Sequence, residues 1–124
     1  MRTHGLAAVI AIAALYAAPA SSGTLSLGDF NKAHAAGPLS MTLSSYLYGI
    51  ADGFASSNAS LRGDGHPMMF CQPEKLRVNL ENLVQMVDDE VARCARGGGK
   101  PYRDELPVAL ILLEAMKRTF PCEK

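Results

Sequence analysis

The chain of 124 residues has no tryptophan, only three histidines, only three cysteines and no surplus of either charge. Each scarcity closes off a class of function. Twelve Lys and Arg stand against twelve Asp and Glu, and no basic stripe is present to neutralise phosphates; a nucleic-acid partner is therefore not expected. There is no CxxC and no HxxxH, so the fixed ligand spacing of a zinc site is missing. No metal and no other cofactor is expected. A Cys–His nucleophile needs a histidine beside the thiol. Beyond residue 20 only His34 and His66 remain, both in weakly patterned stretches. No catalytic residue is assigned, and the chain is not expected to be an enzyme. The alternating pattern of a strand is missing as well, and so is any internal repeat.

What is present begins with an export signal. Arg2 and His4 form a short basic start, Leu6 to Pro19 is apolar, and Ala18-Pro19-Ala20 offers small residues where a signal peptidase reads. The apolar run is too short to span a bilayer, which takes about 20 residues. No cysteine follows it, which argues against a lipoprotein. Cleavage is expected after Ala20, with an uncleaved N-terminal anchor as the alternative. Residues 21–124 then form one domain, and no later apolar segment is long enough to cross a membrane. Loss of Arg2 leaves one more acid than base.

The domain reads as all-α, a compact bundle of four to five helices closed by one disulfide. Leu27, Phe30 and Ala33 lay out one short helix, ended by Gly37-Pro38. A second helix is expected from Ser40, a good N-cap, to about Ser60, with Leu43, Leu47, Ile50 and Phe54 on one face. Gly49 and Gly53 lie four apart beside that face, and each costs about 1 kcal/mol of helix propensity against Ala. Close approach of another helix is the return they suggest. Leu61 to Val78 reads as a long irregular stretch. Asn79 to Arg96 is the clearest helix, with Leu80, Leu83, Val84, Val87, Val91 and Cys94 as its apolar stripe and Asp88-Asp89-Glu90 on a solvated face. Asp89 and Arg93 suggest an i, i+4 pair. Gly97-Gly98-Gly99 stops the helix. The last helix is expected over Asp104 to Phe120, capped by Asp104, with Pro107 tolerated in its first turn. Its apolar residues cover more than half the circumference, which predicts packing on two sides or a subunit interface.

Three thiols allow one bridge and one spare. Cys71, in Phe70-Cys71-Gln72-Pro73, and Cys122, in Phe120-Pro121-Cys122, both fall outside helices; Cys94 falls on a buried stripe. The simplest pairing is Cys71–Cys122, which ties the irregular stretch to the chain's tail. An intermolecular bridge through Cys94 is the alternative. Asn58-Ala59-Ser60 matches a glycosylation sequon and Arg62-Gly63-Asp64 an adhesion tripeptide, and chance accounts for both. The loop Gly97 to Arg103 combines flexibility with Lys100, Tyr102 and Arg103, residue types that suit a protein contact. An ordinary helix–helix linker is the plainer reading.

Tyr46-Leu47-Tyr48-Gly49-Ile50-Ala51-Asp52-Gly53, the Phe70-Cys71-Gln72-Pro73 segment, an amphipathic helix and the Phe120-Pro121-Cys122 end follow one another in an order that resembles the Rap/Tai family of type VI secretion immunity proteins. The resemblance spans roughly residues 42–122. It implies a small, exported, all-helical periplasmic protein, often a homodimer. It implies binding to a peptidoglycan-degrading amidase effector, whose active site is blocked. The family's bridging cysteines map onto Cys71 and Cys122. A loop between helices inserts into the effector in characterised members, and Lys100, Tyr102 and Arg103 stand in the loop that corresponds by position. Cys94 and the glycine triplet depart from the family's pattern. Two other functions fit the composition: a periplasmic helical chaperone that opens at low pH, and an envelope-assembly module with no toxin target.

Overall fold

The structure, a computed structural model, describes residues 23–123. The expected leader, residues 1–20, and its cleavage point lie outside them. Four helices follow in order: α1 Leu27–Ala35, α2 Met41–Gly63, α3 Leu80–Arg96 and α4 Val108–Thr119. Among the described residues there is no β-strand, and none of the helices is long and apolar enough to cross a membrane.

The first three helices begin where a nearby side chain satisfies a free N–H group. Ser26 Oγ accepts from Asp29 N at 3.1 Å at the start of α1. Ser40 Oγ accepts from Leu43 N at 3.3 Å at the start of α2. At α3, Asn79 accepts from Asn82 N at 2.9 Å while the Asn82 side chain accepts from Asn79 N at 3.2 Å. This is a reciprocal capping box with Asn in both roles.

Helix α4 differs from expectation. It starts at Val108, and Asp104 does not cap it. Pro107 is extended there, with φ −62° and ψ 131°, and the Val108 N–H donates to Leu25 O at 2.9 Å. In return Leu27 N and Gly28 N donate to Leu106 O and Asp104 O, at 2.8 and 2.9 Å. The two chain segments therefore help to cap each other's helices through backbone hydrogen bonds. Gly28 permits the approach, because a Cβ there would stand 3.1 Å from Asp104 Cβ.

Helix α2 runs past the expected end at Ser60, taking in Arg62 and Gly63. Its stop is Gly65, whose φ of +73° is the left-handed conformation that favours glycine. Gly65 N donates to Arg62 O and His66 N to Leu61 O, which is a Schellman closure. The stretch after it is held by two ties. Asn58, 8% exposed on α2, donates to Phe70 O at 2.7 Å and accepts from Met69 N at 2.8 Å. The Cys71–Cys122 disulfide, with Cα atoms 4.9 Å apart, then joins this stretch to the tail after α4. Cys71 N also donates to Phe120 O at 2.7 Å.

The core gathers Leu27 and Phe30 of α1, Leu47 of α2, Leu83 and Val87 of α3, and Val108, Ile111, Leu112 and Met116 of α4, with Phe70 and Phe120 beside the bridge. Helix α4 packs most extensively on α3, and α2 rests on both. The apolar surface of α4 is narrower in use than its sequence suggested, since Leu110 is 55% exposed. Gly49 and Gly53 also depart from expectation. No other element approaches either, and both lie on an exposed face of α2.

Candidate functional site

The Gly97–Arg103 loop leaves α3 at a glycine cap, Gly97 N donating to Arg93 O at 3.0 Å. Two side-chain tethers then hold it against its own helix. The Cys94 thiol donates to Lys100 O at 3.3 Å, and the Tyr102 hydroxyl donates to Glu90 Oε1 at 3.1 Å. Cys94 is thus the spare thiol, half-buried, and its role in the described structure is to hold the loop. Between the tethers Lys100 and Pro101 stay exposed, and Arg103 follows exposed after Tyr102. Tyr102 is not the free contact its position suggested. It is half-buried, and its ring packs against the core.

Glu90 is the residue that sequence reasoning missed. It was expected on a solvated face and is 2% exposed. Arg93 donates to it twice, at 3.0 and 2.7 Å, and Arg118 from α4 twice, at 3.0 and 3.3 Å. With Tyr102, one carboxylate joins α3, α4 and the loop. The Asp89–Arg93 pair does not form, because Arg93 is committed to Glu90. Hydrogen bonds from Arg93, opposed by burial and helped by Arg118 and Tyr102, lower the Glu90 carboxyl to about 2. Arg93 is raised above its ordinary value chiefly by the same bonds. Tyr102 is raised chiefly by burial and then by its bond to Glu90. The signal for Glu90 was present: it stands seven residues after Leu83 and three after Val87, on the helix's buried stripe. Asn58 has the same signature, four residues after Phe54 and eleven after Leu47.

A recess of about 600 Å³ beside the disulfide has Arg62 and Glu74 in its wall, paired at 3.5 Å, and its two sulfur-bearing residues are Met68, a thioether, and the bridged Cys71. Among the described residues no three His, Cys, Asp or Glu cluster to hold a metal ion. No buried side-chain nitrogen or oxygen there lacks a partner. The polar interior is spent on structure, and the tethered loop turns Lys100 and Arg103 outward. Compared with protein-family models, curated proteins and solved structures, the chain finds no match.

Proposed function

We propose that the chain is an exported periplasmic immunity protein that binds and occludes a peptidoglycan-degrading amidase. The observation that carries this reading is the double tether of the Gly97–Arg103 loop, which presents Lys100 and Arg103 from a fixed backbone. A contact loop ordered before binding loses less conformational entropy when it binds. The order of motifs that resembles the Rap/Tai family suggests the partner class. A homodimer belongs to the same reading, and sedimentation equilibrium tests it. The signal sequence and the disulfide fit one compartment, since bridges persist where the environment is oxidising.

The test is capture from periplasmic extract on immobilised protein. The wild type retains a peptidoglycan amidase, and a K100E/R103E variant retains much less at an unchanged melting temperature. Equal retention by the two removes the loop from the contact; retention of no hydrolase removes the function.

A second reading, a holdase that opens in acid, is favoured by one observation. Protonation of Glu90 near pH 2 would break the link between α3, α4 and the loop. Light scattering of a client protein at pH 2–3 decides it, and aggregation unaffected by the chain discards it.

A further inference from the structure

An open groove of about 1050 Å³ runs between the α1–α2 connection and the first half of α3. Its apolar part is Leu39, Leu80 and Val84, each half-buried. Glu81, Asp88 and Asp89 also line it. The only basic side chain among its lining residues is His34, whose Nε2 lies 3.3 Å from Asp88 Oδ2. The α3 residues named recur at the i, i+1, i+4, i+8 and i+9 positions, a stripe about 13 Å long at 1.5 Å per residue.

We propose that this groove is a docking site for a cationic amphipathic segment of a partner protein. The chemistry is complementary on two counts. Leu39, Leu80 and Val84 offer apolar surface that a partner's leucine-like side chains would remove from water. The three carboxylates set a negative field that attracts Lys or Arg beside those side chains and rejects an acidic segment. The stripe's length matches about two turns of a helix laid along it, the usual manner of helix-in-groove recognition. The groove lies on the first half of α3, while the tethered loop leaves its last turn. The two surfaces are separate, and this site stands or falls without the amidase reading.

The test needs no amidase. A fluorescein-labelled helical peptide of leucine and lysine is titrated with the full folded protein, and anisotropy is read at roughly physiological salt, where surface attraction beyond about 8 Å is screened. Two control peptides replace lysine by glutamate, or leucine by serine. The expected result is binding to the Leu/Lys peptide about tenfold or more tighter than to either control. NMR shifts on binding should centre on residues 34–39 and 80–89. The exposed double variant E81K/D89K should lose about tenfold in affinity at an unchanged melting temperature. Comparable binding of the Ser/Lys control, shifts centred elsewhere, or full affinity in E81K/D89K would overturn the proposal. Sedimentation without peptide covers the remaining occupant: a dimer abolished by E81K/D89K would make the groove an interface between copies and likewise overturn it.

Discussion

The hydroxyl of Tyr102 donates to the buried carboxylate of Glu90 at 3.1 Å, across twelve positions of sequence. The same carboxylate holds Arg93 and Arg118, so the shape of the exposed loop is linked to the α3–α4 packing. An ionised Glu90 suits this arrangement, because every partner is a donor.

Acid should therefore act through Glu90 in a defined window. Its folded value, about 2, lies below the ordinary carboxylate value of 4.5. The stability it contributes is present above about pH 4.5 and is lost as pH falls through 2. The shift corresponds to about 3 kcal/mol at neutral pH. Urea unfolding of wild type and Glu90→Gln at pH 7 and pH 2 should show a gap of that order at pH 7 that nearly closes at pH 2. A gap that does not change with pH contradicts this.

Tyr102→Phe removes one hydrogen bond to a charged group and keeps the ring. It should cost about 1.5–3 kcal/mol and speed amide exchange of residues 97–103 more than that of α3. Tyr102→Ala also removes ring packing and should cost more. A variant with unaltered exchange in the loop would show that the hydroxyl does not order it.

Asn58→Ala should cost about 2 kcal/mol or more, since it leaves Phe70 O and Met69 N without their partner. The expected readout is a lower urea midpoint with local exchange at residues 68–71. A neutral substitution would mean that the disulfide alone orders this stretch.

The two cysteines of the bridge enclose a long loop, with a sequence separation of 51. Cys71→Ser with Cys122→Ser should lose about 4 kcal/mol on the chain-entropy account. Thiol counting of the native protein should find one reactive sulfhydryl at Cys94. Two further thiols after mild unfolding without reductant would contradict the bridge.

Gly49→Ala and Gly53→Ala test whether α2's small-residue face has an occupant. Nothing lies within 4 Å of a Cβ at either position, so each change should stabilise an isolated chain by about 1 kcal/mol. Loss of a dimer in sedimentation on either change would instead place a second copy against this face.

Helix type and order were legible because apolar spacing and caps agreed. Ser40 and Asn79 start their helices in the structure as the sequence suggested, and the Cys71–Cys122 pairing followed from two thiols lying outside helices. What escaped was decided by tertiary contact. Asp104 looked like a cap, but backbone pairing with Leu25 to Gly28 moved the start of α4 to Val108. Arg62 and Gly63 looked irregular until Gly65 proved to be the residue that stops α2. Glu90 sat among acidic neighbours; its spacing placed it on the buried stripe, but spacing within α3 does not show that Arg118 of another helix pairs with it. Gly49 and Gly53 suggested a close neighbour that the described chain does not supply.

The most direct measurement is a titration of the purified protein into peptidoglycan digestion by the amidase it retains from periplasmic extract. The account predicts that hydrolysis falls to background near one protein per enzyme, and that K100E/R103E shifts this endpoint to large excess. Digestion continuing at an unchanged rate in saturating wild-type protein would contradict it.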